Sequence, residues 1–286
     1  MTTKIKFLSA TCSLFLFAAC NGNVDFGEQY KKTLFIVNGP NYVGDHFFEA
    51  TNNNIVISVY CASSEPIKKD VKVRLMIDPY VLDSLNSLNT AINSEYIARL
   101  MLPETNYTWS ESPYVTIKAG TQYGTFDIPF DEKGLDPDKY YALPLCLSAN
   151  SAGYEVNQQL KVILYEIRLV NDFSGEFAGS SVEVPASEDI RPVVRTIQTN
   201  LKAMSKTSVR LPIHDAEADD MNNQMILTIS DNGSVSISPW KNAVVNDLGG
   251  SKYNRLTMQF ELNYSYKGKV ISETLTNILA PKTDDN

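Results

Sequence analysis

Apolar residues along this chain fall mostly in short runs with a period of two, broken by Gly, Pro, Asn or Asp. Successive side chains of a β-strand point to opposite faces, so the pattern predicts strands with one buried face. In the first half the runs are Ile55–Cys61, Val71–Ile77, Tyr114–Ile117, Thr125–Ile128 and Tyr141–Leu147. One stretch departs from the pattern. Leu82, Leu85, Leu88, Ile92, Tyr96 and Leu100 recur at helical spacing, with Asp83 or Ser84 placed to cap the start and Pro103 to stop it. This predicts a short helix over roughly 82–100, packed on a β-sandwich.

The second half changes character. Its runs are Leu160–Val170, Gly175–Val184, Val193–Leu201, Thr207–Leu211, Gln224–Ser230, Ser234–Ser238, Leu256–Tyr266 and Val270–Leu279. Leu256, Met258, Phe260, Leu262, Tyr264 and Tyr266 share one face, and Asp231-Asn232-Gly233 carries a type I′ hairpin signal. Lys267-Gly268 marks a second, tighter turn. Consecutive hairpins predict an antiparallel meander that closes on itself and so removes its edges. The polar stretch Asn150–Gln159 separates the two patterns. The expected organisation is all-β: a sandwich over 30–152 with one short inserted helix, then an antiparallel barrel over 160–286.

The first twenty residues follow neither pattern. Lys4 and Lys6 precede the apolar run Phe7–Ala19, which is shorter than the about 20 residues a membrane-spanning helix needs. The run suits a cleavable signal peptide over 1–19. Phe17-Ala18-Ala19-Cys20 resembles a bacterial lipobox, in which the Cys thiol receives a diacylglyceryl group, although Phe17 stands where Leu is usual. The expectation is a lipoprotein, acylated at Cys20 and tethered through 20–29 to the outer membrane, with its body exposed at the cell surface. Several acyl chains, each buried CH₂ contributing about 0.8 kcal/mol, would make the anchor stable. Cleavage would remove 19 residues, including both lysines and no acid, so that the −8 of the 286-residue chain becomes −10 over 267 residues.

Composition narrows the chemistry. With 43% hydrophobic and 20% charged residues the chain is globular. Its acidic balance, 33 acids against 25 bases, disfavours nucleic acid as a partner. The two histidines, His46 and His214, limit acid–base, Ser-His-Asp and zinc chemistry, and no G-x-S-x-G elbow is present. Asp215, Glu217 and Asp219 alternate but lack the Gly and the terminal Glu of a calcium-binding hand, and are expected to form a solvated loop. No catalytic residue, metal or cofactor is expected. Cys61 and Cys146 would remain beside the acylated Cys20, and the sequence leaves a disulfide and two buried thiols both open.

Residues 30–150 resemble the N-terminal domain of unknown function 1735 of Bacteroidetes lipoproteins. The resemblance runs through Val73-Arg74-Leu75-Met76-Ile77-Asp78, Leu102-Pro103, Val115-Thr116-Ile117-Lys118-Ala119-Gly120 and Tyr140-Tyr141-Ala142-Leu143-Pro144-Leu145. Residues 165–286, opening at Phe173-Ser174-Gly175-Glu176-Phe177, resemble the lipocalin-like C-terminal domain that accompanies it, such as domain of unknown function 4361. The resemblance implies an Ig-like sandwich followed by a small lipocalin-like barrel, working beside glycan-importing machinery encoded in polysaccharide-utilisation clusters. It implies no catalytic residue.

Glycans present C–H faces that pack on aromatic rings, so aromatics at strand–loop junctions are the candidate contacts: Trp109, Trp240, Tyr123 and Tyr253. The expected function is non-enzymatic glycan binding or capture on the outer membrane. The alternatives are a structural or adhesive lipoprotein docked on an outer-membrane transporter complex, a glycoside hydrolase with an unrecognised carboxylate pair, and a barrel that encloses a small apolar ligand.

Overall fold

A computed structural model describes residues 30–184, 191–214, 216, 220 and 222–279. The signal peptide, Cys20, and the acids Asp215, Glu217 and Asp219 lie outside the described residues. The N-terminal domain opens with β1 (Thr33–Ile36), β2 (Asn41–Phe47), β3 (Asn54–Ala62) and β4 (Val71–Ile77), then helix α1 (Pro79–Ile92). It continues with β5 (Leu100–Met101), β6 (Tyr114–Ile117), β7 (Tyr123–Pro129), β8 (Tyr141–Asn150), β9 (Glu155–Val156) and β10 (Val162–Val170). These strands form an Ig-like sandwich. One sheet has the order β7-β3-β1-β9 and the other β2-β10-β8-β4-β6, with β5 alongside β8.

Between the sheets lies a dry core that includes Leu34, Ile55, Ile57, Val73, Leu75, Val115, Leu143 and Leu145. Each fully buried aliphatic side chain stabilises the fold by about 1.5–3 kcal/mol relative to exposure. Helix α1 covers the outer face of the second sheet, where Leu82 meets Ala142 and Leu164. Its start differs from the expected one. Asp78 is the cap, accepting from the Tyr80 amide, and Pro79 sits in the first turn where its missing N–H costs nothing. It ends at Ile92, so Tyr96 and Leu100 keep the spacing by coincidence and lie beyond the helix.

Strand β10 follows the polar stretch Asn150–Gln159 but pairs with strands of the first domain. It pairs antiparallel with β8 and parallel with β2, so residues 162–170 complete the sandwich rather than open the barrel. The sheets change hands at Asn171, whose side-chain amide donates to the Ser205 and Ser208 carbonyls of the second domain.

The second domain contains β11 (Gly175–Val184), β12 (Val193–Ser205), β13 (Ser208–Pro212), β14 (Gln224–Ile229), β15 (Val235–Pro239), β16 (Val245–Asp247), β17 (Lys252–Asn254), β18 (Gln259–Tyr266) and β19 (Lys269–Asn277). Its ladder runs β15-β14-β13-β12-β11-β19-β18-β16, an antiparallel, nearly closed barrel, with β17 paired to β18. Closure comes from Tyr253 N–H donating to Gly233 O at 2.7 Å, Val235 N–H to Ser251 O, and Ile237 N–H to Asp247 Oδ2. Gly233 (φ +84°) is required twice over, because a Cβ there would also stand 2.8 Å from Tyr253 O.

Only Gly233 of Asp231-Asn232-Gly233 has positive φ, so this is a three-residue loop and not the expected type I′ turn. Lys267 and Gly268 both have positive φ and form the two-residue I′ connection between β18 and β19. Strand β18 begins at Gln259, so Leu256 is exposed instead of lying on its inner face. Among the described residues no helix is long and apolar enough to cross a membrane.

Cys61 is buried within the sandwich core, whereas Cys146 alternates with the core residues Leu145 and Leu147 and so points away from it. The two side chains are not bonded to one another.

A buried polar chain ties the sandwich loops together. His46 Nδ1 donates to Asn53 Oδ1 (2.9 Å), and Tyr165 OH donates to His46 Nε2 (3.3 Å). Asn53 in turn donates to Glu132, which also accepts from the Glu49 amide. These contacts suit a neutral imidazole, and burial pushes the His46 pKa down. A pKa lowered in the folded state gives stability that is present above the unfolded value of about 6.5 and lost as pH falls from there through the lower folded value. The thermal midpoint is therefore expected to fall between pH 7 and 5, with a shallower slope in His46→Gln; equal slopes would refute this.

Candidate functional site

Strand pairing assembles an aromatic row on the sandwich. Phe35 of β1 stands directly opposite Tyr60 of β3, and Tyr60 directly opposite Tyr123 of β7. Opposed residues in an antiparallel pair share a face. All three alternate with core residues (Leu34 and Ile36, Val59 and Cys61, Gly124), so they lie on the outer face of the four-stranded sheet. Phe35 and Tyr60 ring centroids are 5.4 Å apart, close to the spacing of neighbouring strands. Tyr123 is 64% exposed. Tyr60 OH donates to Gln122 Oε1 at 2.8 Å, while the Gln122 amide donates to Ser63, which fixes the middle ring. Ser58, Thr125 and Asp127 supply hydroxyl and carboxylate groups beside the row. No described helix covers this face, since α1 lies on the other sheet. The result is a row of rings, the first two tilted 45° to one another, with polar groups along its side.

The other sequence-based candidates are placed differently. Trp109 is half-buried and packs edge-on against Phe126, on the sandwich core. Trp240 is half-buried, with Arg210 and Lys241 cations over its ring at 4.9 and 5.5 Å. Those cations take up ring surface that a stacked sugar would need. Tyr253 is a correction. It is 7% exposed and packs against Phe173 and Phe260 inside the barrel, and burial pushes its pKa up. Of the four candidates, Tyr123 alone joins an exposed aromatic surface. Phe35 and Tyr60 were not singled out in the sequence, because only the register of three strands brings them beside Tyr123.

The barrel holds a second polar constellation. His214 Nε2 lies 2.9 Å from Glu183 Oε2, and Nδ1 lies 3.2 Å from Ser181 Oγ and 3.7 Å from Glu273 Oε1. Tyr264 OH donates to Glu273 Oε1 at 2.8 Å, and Lys269 donates to Glu183 Oε1 at 2.7 Å. The Lys269 hydrogen bond holds the Glu183 carboxyl below the usual carboxylate range, with His214 adding and burial opposing. Serine, imidazole and carboxylate thus meet, but Ser181 is 1% exposed and forms no part of the adjacent cavity wall. A nucleophile needs access to its substrate, and this one is sealed inside the barrel. Among the described residues no group of three or more His, Cys, Asp and Glu is disposed to hold a metal ion.

That cavity, about 260 Å³, lies where β12 parts from β13. The two strands pair only from Lys202↔Arg210 toward their connecting turn. The wall includes Ile197, Thr199, Leu211, His214, Glu273 and Leu275. Phe177, Phe260 and Tyr264 are fully buried in the barrel core.

Comparison with known proteins gives the same two-domain organisation, with the boundary between the two family models falling just before β10. One family model, for an N-terminal domain, matches residues 30–153, and its C-terminal companion matches residues 161–278. No curated protein matches the chain. A Bacteroides ovatus structure of unknown function shares 15% identity at TM-score 0.59, covering 88% of this chain and 98% of its own. A multidomain protein including domain of unknown function 1735, also from Bacteroides ovatus, shares 15% identity at TM-score 0.57 over 82% of this chain and 88% of its own. A third protein of unknown function from that organism shares 17% identity at TM-score 0.55, over 88% and 95% of the two chains.

Proposed function

The chain belongs to the two-domain family that carries domain of unknown function 1735 at its N-terminus and a lipocalin-like barrel at its C-terminus, and on that premise we propose that it is a non-enzymatic glycan-binding protein of a polysaccharide-utilisation system. The observation that carries this reading is the row Phe35–Tyr60–Tyr123. Flat rings at strand spacing suit the C–H faces of successive sugar units, and the polar groups beside them suit hydroxyls. Tyrosine rings supply this contact area at low conformational cost. Sealing of Ser181 supports binding without turnover.

In this reading the protein is lipid-anchored at Cys20 and holds glycan at the cell surface for an outer-membrane transporter. Cys20→Ala is expected to move the chain from the membrane fraction to the soluble fraction; unchanged membrane retention would remove the anchor from the account. The binding test is affinity-gel electrophoresis of the full chain in detergent against a panel of host and dietary polysaccharides. At least one gel is expected to retard the wild type. Tyr123→Ala is expected to weaken that retention about fivefold or more, since stacked rings contribute about 0.5–1.5 kcal/mol beyond area burial. Retention indifferent to Tyr123, or absent from the whole panel, would overturn the reading.

A further inference from the structure

We infer that the barrel cavity beside His214 is a separate binding site for a single uncharged sugar ring, distinct from the aromatic row. This rests on the glycan-binding reading and adds to it a ligand class and a location.

The cavity has the right size and the right mixture of walls. At about 260 Å³ it falls just short of pockets that enclose drug-sized ligands, about 300–1,000 Å³, which leaves room for one ring and not for a chain. Ile197, Leu211 and Leu275 give it an apolar side suited to the C–H face of a pyranose. Thr199, His214 and Glu273 face them with a hydroxyl, an imidazole and a carboxylate. The His214 and Glu273 side chains are each 2% exposed and held by neighbours, so the polar side is pre-organised. Tyr264 and His214 both approach Glu273 through Oε1, and among the described residues no hydrogen bond reaches Oε2, the acceptor offered to a ligand hydroxyl. The parted β12 edge adds backbone groups, since among the described residues no strand pairs with that side of β12 before Lys202. Such groups are strong donors and acceptors that seek partners.

Charge sets the selectivity. Buried Glu273 and exposed Glu176 both line the cavity, whereas Lys269 is committed to Glu183. A carboxylate on the ligand would be placed against Glu273 in a half-enclosed space, where like charges repel far more than in water. Neutral hexoses should therefore enter and uronic acids should not.

The test is ligand-observed NMR titration of the full chain in detergent with glucose, galactose, mannose and glucuronate. At least one neutral hexose is expected to bind, and glucuronate about tenfold more weakly or not at all. Glu273→Gln keeps the shape and an acceptor for Tyr264 but removes the charge. It should bring glucuronate to within about threefold of that hexose. Thr199→Phe, at a half-buried wall position, should plug the cavity and abolish hexose binding even if the Glu273 variant fails to fold. Neither variant should change retention by polysaccharide gels, just as Tyr123→Ala should not change hexose binding. No hexose binding, hexose binding that survives Thr199→Phe, or wild-type glucuronate binding as tight as hexose would each overturn this inference. Those results leave the aromatic row untouched, and loss of gel retention leaves the cavity untouched.

Discussion

Replacing Asp138 by Ala is expected to cost about 3 kcal/mol and to loosen the seam between the two domains. Asp138 sits in the loop before β8 and reaches across to the barrel. Its Oδ2 accepts from Arg210 Nη1 at 2.8 Å and its Oδ1 from Lys202 Nζ at 2.9 Å. The Arg210 side chain is 5% exposed, and its guanidinium also lies over the Trp240 ring. Arg210 chiefly, with Lys202 adding and burial opposing, holds the Asp138 carboxyl well below the usual carboxylate range. Removing the carboxylate leaves two neighbouring cations, one of them buried without its counter-ion. Breaking a fully buried pair this way costs about 3–5 kcal/mol, and the 24% exposure of Asp138 puts the effect at the lower end. For domains of about 110–140 residues that corresponds to a fall in thermal midpoint of about 9–15 °C. Scanning calorimetry of Asp138→Ala and Asp138→Asn is the check. A midpoint shift under 2 °C in both would show that the bridge does not hold the seam.

A second large effect is expected in the barrel wall. Gly179 lies mid-strand on β11, opposite Leu275 of β19 and Ile197 of β12. An added Cβ would stand 1.7 Å from Thr274 O and 3.1 Å from Leu275 Cα. Both are backbone atoms, so no side-chain rotation relieves the clash. β11 and β19 must separate, and their ladder runs the length of the wall from Phe177↔Asn277 to Val184↔Val270. Overpacking typically costs 1–3 kcal/mol, and a backbone collision places Gly179→Ala at about 3 kcal/mol or above. The damage should be confined to the second domain. Each domain holds one tryptophan, Trp109 in the sandwich and Trp240 in the barrel. In a Trp109→Phe background, Trp240 fluorescence is expected to report earlier unfolding when Gly179 becomes Ala. In a Trp240→Phe background, Trp109 should unfold nearly as before. Equal shifts at both probes would mean that the domains unfold as one unit.

Much of this architecture was legible in the sequence, and the gaps have physical causes. Period-two runs marked most of the long strands, because each buries one face. The same runs do not say which strand lies alongside. Val162–Val170 follows a polar stretch, and nothing in its own pattern says that its partners are β8 and the distant β2. Leu82 and Leu85 mark the helix at their spacing, but its start lies at Asp78-Pro79, a cap and a first-turn proline outside the apolar repeat that points to Asp83 or Ser84. The site was harder to see. Trp109, Trp240 and Tyr253 were chosen for their place beside strands, and two of them serve the cores while Trp240 stacks with cations. Phe35, Tyr60 and Tyr123 are scattered over 89 positions and meet only through register. Ser181, His214 and Glu273 converge for the same reason, since closing a barrel brings distant strands together. Binding chemistry here is a property of pairing, which no local pattern records.

The most direct measurement is a crystal structure of the protein grown with an oligosaccharide from a polysaccharide that retains it. The account predicts sugar density lying across β1, β3 and β7, with rings stacked on Tyr60 and Tyr123 and hydroxyls within reach of Thr125 or Asp127. An oligosaccharide bound elsewhere, with the Phe35–Tyr60–Tyr123 face bare, would contradict it.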